Sequence, residues 1–328
     1  MISVEHLTKC YGDFKAVDDL SFEIGEGHVY GFLGPNGAGK STTMNIMTGC
    51  LSATAGHVRI GGFDIFEEPD KAKKQIGYLP EHPPLYMNET PLEYLTFVGE
   101  AKGVRGEELR LQIDEVMRLT KIENMKHRRI SALSKGYKQR VGIAQALLGH
   151  PKVIILDEPT VGLDPIQIIE IRDLIRELGQ THTVIFSSHI LSEVQAICDQ
   201  ILMIAKGKLV AFDNPENLEK KLLSPNEITL TTDAPADELS RILSSVEHIT
   251  EVTAGAPDGR RTTARIKTDQ NDIYELSRSI FLAFAASERV ILEMSLKKGN
   301  LEDVFLELSE AKPDASGTDA QESEVEEA

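Results

Sequence analysis

The sequence predicts an α/β protein built on a largely parallel sheet, and two observations carry the prediction. Apolar runs at 153–156, 184–187 and 201–205 alternate with helical patterns, as buried parallel strands covered on both faces do. A glycine-rich octad, Gly34-Pro35-Asn36-Gly37-Ala38-Gly39-Lys40-Ser41, stands between an apolar run at 29–33 and a stretch able to be helical from Lys40 to Thr48. At 328 residues the chain also exceeds what one core usually serves, so one large and one small domain are expected.

Taken in order, β-rich runs at 2–7, 17–24, 29–33 and 58–60 are separated by Gly and Asp turns and predict a partly antiparallel β subdomain. Thr90-Pro91-Leu92-Glu93 combines a hydroxyl cap, a first-turn proline and a glutamate at the third position. It opens a mainly helical stretch to about Leu148, expected as a helical insertion at about 90–148 in a domain spanning 1–215. Beyond Asn214-Pro215 the order is strand 227–232, helix 236–243, strand 249–253, strand 261–268, helix 272–286 and strand 290–295. This βαββαβ order predicts a small α+β ferredoxin-like domain at 226–310. Residues 311–328, rich in Glu and almost without apolar side chains, are expected to be a disordered acidic tail.

The balance of 52 acidic against 35 basic residues, a formal charge of −17, opposes binding to nucleic acid and to anionic membrane surfaces. Cys10, Cys50 and Cys198 lie far apart, without zinc or redox spacing, and read as buried thiols in a reducing compartment. Neither a leader pattern nor a run long enough for a bilayer is visible, so a membrane role is expected to come through a partner.

The octad satisfies G-x-x-x-x-G-K-[ST], the phosphate-binding loop of P-loop NTPases. Its glycines allow backbone N–H groups to wrap phosphates, Lys40 reaches the β and γ phosphates, and Ser41 can ligate magnesium, with Thr42 assisting. The run at 153–156 ends in Asp157-Glu158, bringing two carboxylates to the sheet edge. Asp157 is suited to hold magnesium and Glu158 to orient or deprotonate the attacking water.

Further segments resemble the nucleotide-binding subunits of ATP-binding cassette (ABC) transporters over residues 1 to about 215. Leu133-Ser134-Lys135-Gly136-Tyr137 stands at the family signature, Val161-Gly162-Leu163-Asp164-Pro165 at its D-loop, and Ser187-Ser188-His189 at its switch histidine. Tyr11 lies where the family stacks an aromatic ring on adenine. Read by themselves, Ser134 and Asp164 serve equally well as helix caps and His189 as an exposed histidine. Two departures stand out: Lys135 and Tyr137 replace the commonest glycine and glutamine of the signature, and Glu81, in Gly77-Tyr78-Leu79-Pro80-Glu81, replaces the Q-loop glutamine.

The resemblance implies ATP and Mg2+ as cofactors, catalytic roles for Lys40, Glu158 and His189, and magnesium contacts from Ser41, Asp157 and Glu81. It further implies a head-to-tail pair of cassettes, with Ser134 and Gly136 of one subunit, and its Asp164, meeting ATP held by the other. A separate transmembrane permease would dock near Glu81 and the helical insertion, placing the subunit at the cytoplasmic face of the membrane. The departures, together with Asn300-Leu301-Glu302-Asp303-Val304-Phe305-Leu306, resemble the exporter branch that includes antibiotic-export and gliding-motility subunits. Residues Leu301, Val304, Phe305 and Leu308 also fit a helix packing on the small domain. The alternative is an ABC ATPase without a membrane partner, acting in translation, repair or chromosome organisation; a single cassette, no long heptads and an acidic charge count against it.

Overall fold

The computed structural model describes residues 1–221, 226–255, 261–268, 270 and 272–297. Their contacts divide them into two compact units, one within Met1–Pro215 and one within Glu216–Leu306. The segment 300–306 and the acidic tail lie outside the described residues.

The chain begins with a hairpin of β1 (Ile2–Tyr11) and β2 (Phe14–Ile24), in which Tyr11 pairs with Phe14 across the turn. Both strands run further than their apolar stretches, because the outer hairpin carries polar Lys9 and Lys15 and is held by ladder pairing rather than burial. Next come β3 (Val29–Leu33), α1 (Lys40–Met47), β4 (Ala55–Ile60), β5 (Phe63–Asp64), α2 (Pro69–Lys73) and β6 (Ile76–Leu79). Strands β1, β2, β4 and β5 form an antiparallel sheet in the order β2-β1-β4-β5.

Three helices, α3 (Pro91–Ala101), α4 (Gly106–Leu119) and α5 (Lys135–Leu147), make up the helical insertion. The start of α3 is the expected capping box: Glu93 N–H donates to Thr90 Oγ1 at 3.3 Å and Thr90 N–H to Glu93 Oε2 at 2.8 Å. Such a cap contributes about 1 kcal/mol. The fold then returns through β7 (Val153–Leu156), α6 (Pro165–Leu178), β8 (Thr183–Ser188), α7 (Leu191–Ile197), β9 (Gln200–Ala205) and β10 (Lys208–Asp213).

The central sheet has the order β10-β9-β3-β8-β7-β6 and is parallel except for β10. Every residue of β3, β7 and β8 is buried, which explains the apolar runs at their centres. Burying each large aliphatic side chain contributes about 1.5–3 kcal/mol, so these strands anchor the unit. Registers Leu33 to Ser188, Leu156 to Phe186 and Leu79 to Leu156 bring the C-terminal ends of β3, β8, β7 and β6 to one edge. The segments following those four strands are the glycine octad, His189, Asp157-Glu158 and Pro80-Glu81.

After α8 (Pro215–Lys221) the second unit contains β11 (Asn226–Thr232), α9 (Ala236–Leu243), β12 (Ile249–Ala254), β13 (Thr262–Thr268), α10 (Ile273–Ala286) and β14 (Ile291–Lys297). Its antiparallel sheet has the order β12-β13-β11-β14, the ferredoxin-like arrangement. Alternate burial along β13 presents Ala264 and Ile266 to a core shared with Leu239, Leu276, Ile280 and Phe284.

Candidate functional site

The glycine octad runs from the end of β3 into α1, and its geometry explains its composition. Gly39 has φ of 100°, and a Cβ there would lie 2.5 Å from the backbone oxygen of Ala16. No other residue fits that turn without moving the neighbouring strand. Lys40 is 6 % exposed and donates from Nζ to the carbonyls of Gly34 at 2.8 Å and Pro35 at 3.3 Å, spanning the loop it belongs to. Ala38 N–H donates to Pro35 O at 3.1 Å, closing the loop. Burial pushes the Lys40 ammonium below the ordinary lysine range, against the pull of Glu158, Asp157 and Glu81.

The paired carboxylates stand opposite. Ser41 Oγ lies 3.2 Å from Asp157 Oδ1, and Ser187 Oγ donates to the same oxygen at 2.6 Å. Glu158 is 7 % exposed and adopts φ of 46°, a left-handed conformation costing a non-glycine residue about 1–3 kcal/mol. Its N–H donates to Ser187 Oγ at 2.8 Å, which helps to hold that turn. The bent backbone directs the side chain between two nitrogens: Oε1 lies 3.5 Å from Lys40 Nζ and Oε2 3.0 Å from His189 Nδ1. Buried, charge-paired carboxylates of this kind are what acid–base chemistry on a bound anion requires.

These groups surround an open cleft of about 550 Å3 lined by Tyr11, Phe14, Ala16, Asn36, Gly37, Gly39, Lys40, Ser41, Thr42, Glu81, Glu158, Val161 and His189. Tyr11 is 51 % exposed and Phe14 64 %, giving the cleft an aromatic rim fit for a planar base. Phe14 and Ala16 had no sequence signal and are revealed only by the hairpin pairing of Phe14 with Tyr11 and the approach of Ala16 to Gly39, whereas Val161 opens the segment that stands at the D-loop. Gly34, Pro35, Ala38 and Asp157 lie in the supporting layer rather than on the cleft wall.

Three candidate residues are not brought to this cleft. Ser134 caps α5, accepting from Tyr137 N–H at 3.4 Å, and Gly136 is buried against Gln167 at the start of α6. Asp164 caps α6 and accepts from Gln167 N–H at 2.9 Å. The signature and the D-loop therefore adjoin each other through Gln167, and also where the Lys135 ammonium lies over Gly162. Among the described residues, no group of three or more His, Cys, Asp or Glu could hold a metal ion unaided.

The ABC transporter family pattern matches residues 17–161. The bacitracin transport ATP-binding protein BcrA of Enterococcus faecalis is 34 % identical over 310 residues, 94 % of this chain and 96 % of that protein. The linearmycin resistance ATP-binding protein LnrL of Bacillus subtilis is 31 % identical over 310 residues, covering 94 % and 98 %. Among solved structures, a dimeric ATP-binding cassette bound to ADP and phosphate in a post-hydrolysis state matches with a TM-score of 0.60. That match has 27 % identity and covers 65 % of this chain and 98 % of that one. The structure of cbiO1 from Clostridium perfringens, part of the ABC transporter complex cbiONQ, matches with a TM-score of 0.60 and 31 % identity, over 66 % and 89 %. With these likenesses spanning the phosphate loop, the paired carboxylates and the histidine, the chain belongs to the ABC transporters as an ATP-binding and ATP-hydrolysing subunit.

Proposed function

We propose that the chain works in pairs, hydrolysing MgATP in the cleft to drive a separate membrane permease that exports its substrate. The observation that carries this reading is the convergence of Lys40, Ser41, Asp157, Glu158 and His189, drawn from three strand ends, on one buried polar cluster. On this reading Lys40 leaves its loop carbonyls for the β and γ phosphates, and Tyr11 and Phe14 face the adenine. Glu158 orients the attacking water and accepts its proton, while His189 donates to the γ phosphate.

Magnesium suits the donors present. Ser41 Oγ and Asp157 Oδ1 are hard oxygens 3.2 Å apart, with Glu81 on the cleft wall, and magnesium needs few protein ligands when phosphates and water supply the rest. Bound there, the ion would neutralise charge on the β and γ phosphates. Ser134, Gly136 and Asp164 lie away from the cleft and would complete the site of a second copy, so hydrolysis requires the pair.

The permease would dock on the helical insertion. Phe97 on α3 and Tyr86 and Met87 in the loop leading into it are 51 %, 49 % and 43 % exposed, and the Tyr86 ring lies 5.2 Å from Phe97 and 5.7 Å from Tyr94. Exposed aromatics clustered in this way suit an apolar partner helix. No helix among the described residues is long and apolar enough to cross a membrane, so the permease would hold this subunit at the cytoplasmic face. The names of the bacitracin transport and linearmycin resistance relatives support export.

The test is to co-express the chain with the membrane protein encoded beside its gene, purify in nanodiscs and measure ATP hydrolysis for the wild type and Glu158→Gln. A stable complex silenced by the substitution supports the reading. A hydrolysing dimer that associates with no membrane candidate would replace it with an ATPase acting without a permease.

A further inference from the structure

Glu193 is a buried carboxylate to which the reaction described above assigns no part. It lies in the first turn of α7, four residues after His189, and is 2 % exposed. Burying a carboxylate is costly unless its oxygens are well occupied, so its partners point to its role. Oε2 accepts from Thr160 Oγ1 at 2.8 Å and from Ser188 Oγ at 2.9 Å. Thr160 follows Glu158 by two residues, and Ser188 immediately precedes His189.

Ser188 has a single hydroxyl proton, which the short contact assigns to Glu193. That leaves its oxygen to accept from Ile190 N–H at 3.0 Å, bracketing His189 on both sides. One carboxylate oxygen thus joins the turn carrying Glu158 to the turn carrying His189. The other oxygen faces Arg172 Nη2 of α6 at 3.6 Å, too long for a hydrogen bond but close for a charge contact. Arg172 Nε is buried without a hydrogen-bond partner among the described residues. The ion pair is therefore incompletely satisfied, whereas both hydroxyl contacts are short.

We infer that Glu193 is a positioning residue for hydrolysis: it holds the turns of Glu158 and His189 at one spacing and ties them through Arg172 to the helix capped by Asp164. The inference rests on the roles proposed above for Glu158 and His189. Glu193 does not line the cleft and acts through the two residues that do. It fixes the 3.0 Å contact between His189 Nδ1 and Glu158 Oε2, and that contact sets where base and donor stand.

A four-variant cycle tests this on the full chain: wild type, Glu193→Gln, His189→Ala and the double substitution, with Glu158→Gln as a control. Steady-state kcat and KM, equilibrium binding of a fluorescent ATP analogue, and thermal unfolding are measured for each. Glutamine keeps the size and one acceptor oxygen but loses the charge, so we expect kcat to fall about tenfold with KM and Kd within about twofold. In the His189→Ala background the same change should lower kcat by less than about twofold, because the contact it maintains is already gone.

Losses that multiply in the double variant, a fall in ATP affinity as large as the fall in kcat, or an unchanged kcat would each overturn the proposal. If Glu193→Gln does not fold, Ser188→Ala replaces it in the same cycle, since it removes one of the two short contacts and leaves the charge. If Glu158→Gln and His189→Ala both turn over at the wild-type rate, the assignment of the site fails instead, and the two failures are thereby distinguished.

Discussion

His189 Nδ1 lies 3.0 Å from Glu158 Oε2, although the two residues come from different strand ends. The adjacency of β7 and β8 in the parallel sheet produces the contact, and the left-handed turn at Glu158 aims the carboxylate toward it. On the opposite side, Lys40 Nζ lies 3.5 Å from Glu158 Oε1, so the carboxylate stands between two nitrogen partners.

A buried carboxylate facing the cleft between these two groups is suited to accept a proton from water. Glu158→Gln should lower kcat by about 10²- to 10⁴-fold while ATP still binds, because the amide keeps the shape and cannot act as a base. Phosphate release and nucleotide binding measured on the same preparation check this. Turnover within about tenfold of wild type would remove Glu158 from the base role.

Lys40 is different, since its contacts are to groups that should yield to phosphate. Its Nζ is shared between the Gly34 and Pro35 carbonyls, and burial already lowers its preference for the charged form. A phosphate is a stronger partner than either carbonyl. Lys40→Ala should therefore weaken ATP binding by more than about tenfold, since a hydrogen bond between charged groups contributes about 1.5–3 kcal/mol. Titration with a fluorescent ATP analogue reads this out, and equal affinity would mean that the lysine remains on its own loop.

The chemistry of the cleft was legible wherever chain neighbours carry it, as in the octad and in Asp157-Glu158. In both, the residue types and the flanking apolar strand are contiguous. Phe14 and Ala16 were not legible, because they reach the cleft through hairpin pairing and through a backbone approach to Gly39. Glu193 was hidden for the same reason: its partners Thr160, Arg172 and Ser188 are gathered only by the packing of α6 and α7 on the sheet. The strands of the hairpin read short because period-two burial stops where the ladder continues in solvent. The order of the second unit was readable because α9, β13 and α10 each keep their own apolar period.

Asp64 gives a pH-dependent expectation away from the cleft. It is 5 % exposed, and burial works to raise its pKa. The N–H groups of Phe66 at 2.9 Å and Glu67 at 3.2 Å, with His57 at 3.3 Å, outweigh burial and hold the carboxyl below the usual aspartate range. The unfolded chain therefore binds this proton more readily than the folded one. The stability Asp64 contributes is complete above its unfolded value of about 3.9 and is lost as pH falls through the lower folded value. Asp64→Ala should lower Tm at pH 7, and the gap from wild type should narrow as the pH is taken below about 4. A gap that stays constant with pH would show that the carboxylate charge contributes nothing.

Phe284 tests whether the second unit stands on its own core. It is fully buried in α10 and packs within a cluster containing Ile228, Leu230, Ile266 and Leu276, all of the same unit. Phe284→Ala removes a ring from a dense interior and should cost that unit about 3–5 kcal/mol. Its core and that of the first unit are separate clusters, so the loss should appear as an earlier calorimetric transition while the ATP-binding constant stays the same. A single transition shifted as a whole, or a weakened ATP affinity, would mean that the two units unfold as one.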